Sequence, residues 1–193
     1  MRRPHRLFNI AVLAASVFGF SCGSEPAPPR LFRVPDTALI SDRGTPVRLA
    51  EMNGYVTVYD FIFTNCAGTC PLMASTMRKL TERVDKDARV RFVSISVDPE
   101  RDTPAVLSQY ARKVRNDERW IFVTGKRDEI VRLSVEGFKL AAGGTPQTGA
   151  EPFLHSEKLA VVDRNGWIRE YYGAMEPDAV EHVAKTVAAL LRE

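Results

Sequence analysis

Two cysteines lie close together in the segment FIFTNCAGTCPLM, which runs from Phe61 to Met73. Cys66 and Cys70 are separated by three residues, and the whole chain of 193 residues contains only three cysteines. The residues before the pair are β-branched or aromatic, whereas the residues after it repeat apolar side chains at helical spacing. The pair is therefore expected where a buried strand gives way to a helix.

The spacing of the pair permits more than one chemistry. A cysteine at the start of a helix lies near unpaired backbone N–H groups and the positive end of the helix dipole, which favour a thiolate. Two sulfurs four positions apart can face each other, so Cys66 and Cys70 can form a local disulfide, a redox couple or a metal site. Thioredoxin-type redox motifs have two intervening residues, and the three found here leave more room for a metal.

A third metal ligand would have to come from one of the three histidines. His5 lies in the N-terminal leader, and His182 lies among charged residues on what we expect to be the solvated face of a helix. His155 follows the Gly- and Pro-rich stretch 141–153 and directly precedes a predicted strand. Long irregular loops often carry function, although spacing alone fits a surface histidine better than a ligand. Two thiolates suit Cu(I), and an added imidazole would also suit Cu(II).

Strand-like and helix-like runs alternate after the Pro-rich segment that ends near Arg30. Met73 and Met77 belong to an apolar helical stripe, so we interpret them as core residues rather than thioether ligands. The order predicts an α/β fold with a mixed central sheet flanked by helices, and cysteines after the first central strand indicate a thioredoxin-like fold. The expected elements are strands at 56–63, 89–98, 120–125, 158–163 and 167–173 and helices at 70–87, 103–114, 126–138 and 177–193.

The N-terminal leader is basic and then apolar. Arg2, Arg3 and Arg6 precede an uncharged, mostly apolar run at 7–20, which is short for a membrane span but suits a signal peptide. These arginines also account for the net charge of +3, so the rest of the chain is formally neutral. We therefore expect no nucleic-acid partner, because such partners require clustered basic charge.

The residues after the apolar run resemble the cleavage site of a bacterial lipoprotein. Ser21 and Cys22 precede a spacer rich in Gly, Ser and Pro. We expect a signal peptide at 1–21, lipidation of Cys22, a flexible spacer at 22–30 and one domain at 31–193. An uncleaved signal anchor and simple secretion are the alternatives, and all three would export the domain.

Three segments in this order resemble the Sco/SenC family of copper-binding cytochrome c oxidase assembly proteins: FIFTNCAGTCPLM, SISVDPERDTPAVLSQYA and LHSEKLAVVDRNGWIREYYG. The resemblance covers roughly residues 31–192. It implies that Cys66 and Cys70 bind copper and that His155 is the third ligand. It also implies that Asp98 supports the loop near the site without binding the metal.

The chain departs from the family pattern at two places beside the expected ligands. Ala67, Gly68 and Thr69 stand between the cysteines, where many members have Pro and an acidic residue. Leu154 precedes the histidine, where many members have Asp. Neither change removes a ligand, but both alter the groups around the metal, which tune its affinity and redox potential.

The resemblance implies a copper metallochaperone, tethered to the periplasmic face of the bacterial cytoplasmic membrane. It would take copper from an unidentified donor and deliver it to, or maintain the thiols of, the dinuclear copper site of cytochrome c oxidase subunit two. The alternative is a membrane-tethered thiol-disulfide oxidoreductase in which Cys66 attacks a partner disulfide and Cys70 resolves the mixed disulfide. A peroxidase-like relative of the same fold is a third possibility. The sequence leaves open whether the protein is an enzyme.

Overall fold

The structure is a computed structural model, which describes residues 26–66, 68–84, 86, 89–140 and 156–193. The strands in these ranges are β1 (Phe32–Arg33), β2 (Ala38–Ser41), β3 (Pro46–Arg48), β4 (Val56–Ile62), β5 (Val90–Ser96), β6 (Trp120–Thr124), β7 (Lys158–Val162) and β8 (Trp167–Gly173). They form a single sheet with the order β1-β8-β7-β4-β5-β6-β2-β3. The sheet is mixed, because β4, β5 and β6 are parallel and their outer neighbours are antiparallel.

The central strand β4 is buried along its entire length. Its residues are β-branched or aromatic except at Asp60, a composition typical of a strand covered on both faces. β7 and β8 form a hairpin beside it, and Gly166 in the connecting turn has a φ of 78°, which favours glycine. The short strands β1 to β3 were not predicted.

Helices cover both faces of the sheet. On one face, three helices share a core with Val58 and Ile62 of β4; on the other, one short helix and its π-helical extension pack near Tyr59 and Phe61. The first group is α1 (Cys70–Arg83), α2 (Pro104–Val114) and α4 (Ala179–Leu191), and the second is α3 (Arg127–Arg132) with the π-helix Leu133–Gly137. A 3-10 turn at Leu49–Met52 also lies on the second face.

The predicted α/β alternation is confirmed, with differences at the ends of elements. α1 ends at Arg83 instead of residue 87, and the helix predicted at 126–138 is α-helical only as far as Arg132. Thr103 caps α2 as expected, because its Oγ1 accepts a hydrogen bond from the backbone N–H of Val106 at 3.4 Å. In the described ranges, no helix combines the length and the apolar character needed to cross a membrane.

Candidate metal and redox site

The cysteine pair lies at the C-terminal end of β4, as predicted. The backbone carbonyl of Ile62 accepts a hydrogen bond from the N–H of Val97 at 2.8 Å, which joins the end of β4 to the residue after β5. The next residue, Phe63, directs its backbone N–H to the sulfur of Cys70. Cys66 follows three residues later, and Cys70 begins α1.

Cys70 is the inner cysteine of the pair. Its side chain is only 2% exposed, and burial raises the pKa of its thiol to about 12. A hydrogen bond with Cys66 contributes to this rise, whereas the Phe63 backbone N–H partly offsets it. The helix start favours a thiolate at Cys70, but desolvation of the charged form outweighs this effect.

Cys66 is the outer cysteine and is half-buried. Both cysteines are thiols in the structure, and their mutual hydrogen bond places the two sulfurs side by side. Gly68 borders the outer sulfur, since a Cβ atom at that position would lie 3.9 Å from Cys66 Sγ. The site therefore consists of one accessible thiol resting against one buried thiol.

Asp102 connects the cysteine loop to the loop that follows β5. Its fully buried carboxylate accepts hydrogen bonds from the Thr64 backbone N–H at 3.0 Å and from the Thr64 hydroxyl at 2.5 Å. The Ser96 hydroxyl donates a third bond at 2.5 Å. Sequence analysis missed this residue. The available signal was a second Asp in VDPERDT, since loops at the carboxyl ends of adjacent parallel strands meet.

Asp98 supports its own loop. Its carboxylate accepts a hydrogen bond from Arg101 at 3.0 Å, and its backbone N–H donates to Ser96 Oγ at 3.1 Å. Its backbone carbonyl accepts the N–H of Asp102 at 2.8 Å. Among the described residues, the hydrogen bonds to the cysteine loop come from Asp102, and Asp98 supports Asp102 through its backbone carbonyl.

Two further polar groups, Asp60 and Tyr110, interact electrostatically with Cys70. Asp60 is fully buried, and burial raises the pKa of its carboxyl to about 7. Burial likewise raises the pKa of the Tyr110 hydroxyl, and the negative charges of Asp60 and Cys70 raise it further. The charge of Asp60 also raises the pKa of Cys70. The buried carboxyl of Asp60 thus opposes a negative charge on the inner sulfur.

A profile of the SCO1/SenC family matches residues 33–192. The chain belongs to the SCO1/SenC family. The SCO1 protein homolog of Bacillus subtilis (strain 168) is 29% identical to this member over 180 residues, which cover 90% of this chain and 92% of the homolog.

Solved structures of Sco proteins share the fold of this SCO1/SenC protein. A SCO1/SenC family lipoprotein from Bacillus anthracis is 28% identical with a TM-score of 0.73, over 83% of this chain and 95% of that one. BsSco, a member of the Sco family of cytochrome c oxidase assembly proteins with a disulfide switch, is 27% identical with a TM-score of 0.74. The match covers 89% of this chain and 100% of BsSco. ScoI of Bradyrhizobium japonicum with copper bound is 23% identical with a TM-score of 0.68, over 83% of this chain and 99% of ScoI. At this identity the similarity establishes only a shared fold. The predicted family and thioredoxin-like fold are confirmed.

The other predicted site residues of this SCO1/SenC protein lie outside the described ranges. These are His155, the loop at 141–153 and Cys22, so the third ligand, the role of the loop and lipidation stay predictions. Within the ranges that are described, no group of three or more His, Cys, Asp or Glu side chains is arranged to hold a metal ion. Of the predicted metal ligands, the described ranges thus contain the two cysteine sulfurs.

His182 lies away from the cysteines. Its Nε2 shares a hydrogen bond with Glu170 at 2.6 Å, and its ring stacks on Tyr172 with centroids 4.0 Å apart, so the predicted solvated face is only partly exposed. The adjacent Glu181 binds Arg83 at the end of α1. At about 1.5 Å per helical residue, this end of α1 is roughly 20 Å from Cys70 at the other end. His182 is therefore far from the cysteine pair. Met73 and Met77 are fully buried, as predicted for core residues.

Proposed function

We propose that this protein is a copper metallochaperone that binds one copper ion through Cys66, Cys70 and His155. The observation that carries the proposal is the hydrogen-bonded pair of thiols, which places two soft sulfur donors side by side at the end of β4. Two thiolates suit Cu(I), and an imidazole from His155 would complete a site for Cu(II). A putative copper-binding protein of Stutzerimonas stutzeri, 29% identical to this chain over 158 residues, supports this metal.

The proposed recipient is the dinuclear copper site of cytochrome c oxidase subunit two, to which the protein would deliver copper or whose thiols it would keep reduced. The role of BsSco in oxidase assembly supports this choice. The different exposure of the two sulfurs suits transfer, because a partner can reach Cys66 while the buried Cys70 retains the ion. Copper must displace a proton from Cys70, so binding should strengthen as pH rises.

We further propose that Cys22 carries a lipid that tethers the domain to the periplasmic face of the cytoplasmic membrane. The basic and apolar leader before Ser21 supports export. The lipoprotein from Bacillus anthracis supports the lipid. Copper would come from a donor that is still to be identified.

A thiol-disulfide oxidoreductase is the second candidate, and one observation favours it. The accessible Cys66 and the buried Cys70 have the positions expected of an attacking and a resolving cysteine. The disulfide switch of BsSco supports this reading as well. In that reaction His155 would be incidental.

Copper titration of the reduced full chain, purified in detergent, tests the first candidate. We expect one copper per chain and a sulfur-to-Cu(II) charge-transfer band that disappears in both Cys66→Ser and Cys70→Ser. The matched control is Ser75→Ala on the exposed side of α1, which should keep the band and the stoichiometry. Retention of the band in both cysteine variants would place the copper site elsewhere.

A further inference from the structure

The residue two positions before Cys66 is held by both oxygens of one carboxylate. Thr64 donates its backbone N–H to Asp102 Oδ2 at 3.0 Å and its hydroxyl to Oδ1 at 2.5 Å. Asp102 lies 38 residues after Thr64 in the sequence and is fully buried. It directly precedes Thr103, the residue that caps α2. Hydrogen bonds to a charged acceptor in a buried setting are stronger than neutral bonds in water.

The carboxylate is itself anchored to the sheet. Ser96, the last residue of β5, donates its hydroxyl to Asp102 Oδ2 at 2.5 Å, and the backbone N–H of Asp102 donates to the carbonyl of Asp98 at 2.8 Å. β5 pairs with β4 in parallel over seven residues, from Val56 opposite Val90 to Ile62 opposite Ser96. Thr64 is therefore tied to the rigid centre of the molecule.

The far side of the cysteine loop is fixed by a different element. Cys70 is the first residue of α1 and is nearly fully buried, so packing of the helix determines its position. Cys66 lies between this fixed point and Thr64, and few backbone dihedrals separate it from Thr64. The hydrogen bonds at Thr64 thus restrict where the outer sulfur can lie relative to the inner one.

We propose that Asp102, acting through Thr64, is the positioning residue that sets the location of Cys66 relative to Cys70. Asp102 does not bind the metal, because both of its oxygens accept hydrogen bonds and its side chain has no exposed surface. The inference rests on the proposed function in that it takes the cysteine pair as the working site. The positioning role predicts that Asp102 affects both the dithiol–disulfide equilibrium of the pair and the Cu(II) charge-transfer band.

Two single substitutions separate positioning from stability. Thr64→Val and Ser96→Ala each remove a hydroxyl that donates to Asp102, but only Thr64 belongs to the cysteine loop. Ser96→Ala also removes the acceptor for the Asp98 N–H, so it disturbs the folded state at least as much. Thr64→Ser keeps the hydroxyl and is the conservative rescue.

The measurement is the equilibrium between the dithiol and the Cys66–Cys70 disulfide in mixtures of reduced and oxidised dithiothreitol, with the full chain in detergent. Oxidised dithiothreitol takes up the two electrons and two protons that the cysteines lose when the S–S bond forms. We expect Thr64→Val to change the equilibrium constant at least about tenfold, which is roughly 30 mV for this two-electron couple. Ser96→Ala should change it less than about threefold, because Asp102 then keeps both hydrogen bonds from Thr64 and its own backbone bond to Asp98. Thr64→Ser should resemble wild type.

The Cu(II) charge-transfer band provides a second readout and should shift in Thr64→Val but not in Ser96→Ala. Thermal unfolding of each variant is recorded in parallel. Equal shifts in Thr64→Val and Ser96→Ala that follow the loss of stability would overturn the positioning role, as would an unchanged potential and band in Thr64→Val. Asp102→Asn should give a larger shift than Thr64→Val. If wild type fails to bind copper but the potential still depends on Thr64, the proposed function fails and the positioning role stands.

Discussion

Asp60 lies directly opposite Ser94 in the parallel pairing of β4 and β5. The Ser94 hydroxyl accepts the indole N–H of Trp120 at 2.8 Å. Among the described residues, neither carboxyl oxygen of Asp60 has a hydrogen-bond partner of good geometry. Burial therefore raises the pKa of Asp60 from 3.8 to about 7, and a weaker interaction with Ser94 lowers it only in part.

This buried carboxyl should make folding stability fall as pH rises. The folded state binds the Asp60 proton more tightly than the unfolded state, so the stabilisation is complete below about pH 4 and is lost as pH rises through about 7. Between pH 5 and pH 8 the loss should be roughly 3 kcal/mol, at 1.36 kcal/mol per pKa unit. Asp60→Asn should remove this dependence, which urea unfolding of the reduced, metal-free chain at both pH values would measure.

Asp117 is the matched control for that experiment because its pKa is shifted in the opposite direction. The hydrogen bond from Arg119 holds the pKa of Asp117 below its ordinary value. Asp117→Asn should therefore cost stability at pH 8 and should not reduce the decline between pH 5 and pH 8. If Asp60→Asn leaves the pH dependence of wild type unchanged, Asp60 is ionised in the folded protein at pH 5.

The two thiols should differ in their reactivity with alkylating agents. The thiolate is the reacting species, and Cys70 combines 2% exposure with a pKa of about 12, whereas Cys66 is half-buried. We expect iodoacetamide at pH 8 to modify Cys66 at least about tenfold faster, as measured by peptide mapping. Urea should abolish the difference. Faster modification of Cys70 in the folded protein would contradict the assignment of inner and outer cysteine.

Replacement of His155 should separate the copper chemistry from the disulfide chemistry. Cu(II) bound by two thiolates needs a further nitrogen ligand for tight binding, whereas two sulfur ligands are sufficient for Cu(I). We expect His155→Ala to weaken Cu(II) binding at least about tenfold, to affect Cu(I) less and to spare the Cys66–Cys70 disulfide. The control is His182→Ala, which should not change copper binding because His182 pairs with Glu170 away from the cysteines.

The same variant distinguishes the two candidate functions in cells. The metallochaperone predicts that His155→Ala lowers oxidase activity at low copper and that added copper partly restores it. The oxidoreductase predicts near-normal oxidase activity with His155→Ala and loss only with the variants of Cys66 or Cys70. Normal activity of His155→Ala under copper limitation would therefore exclude the metallochaperone.

Removal of the proposed lipid site should release the protein from the membrane. A diacyl modification at Cys22 would be the anchor of a cleaved chain, so Cys22→Ala should move the protein to the soluble fraction. Fractionation followed by mass measurement of the N-terminus checks this result. Persistent membrane association with residues 1–21 intact would instead indicate an uncleaved signal anchor.

The sequence by itself determined the central elements and the position of the cysteine pair. The β-branched and aromatic composition of Val56–Ile62 and the helical spacing of apolar residues in Cys70–Arg83 are both visible within a short window. Thr103 followed by Pro104 marks the start of α2 locally. Such signals depend on neighbouring residues alone. The short outer strands β1 to β3 escaped prediction because two to four residues carry too little pattern.

Only the tertiary structure decided how the two cysteines differ and what holds them. Burial of Cys70 results from packing of α1 against the sheet, which outweighs the thiolate-favouring helix start. Asp102 meets Thr64 across 38 residues because β4 and β5 are adjacent and parallel, so their following loops converge. Asp60 is unusual for a similar reason, since the strand pairing sets it against Ser94, whose hydroxyl accepts the Trp120 indole N–H. Contacts between residues far apart in sequence leave no trace in local spacing, and these contacts set the chemistry of the site.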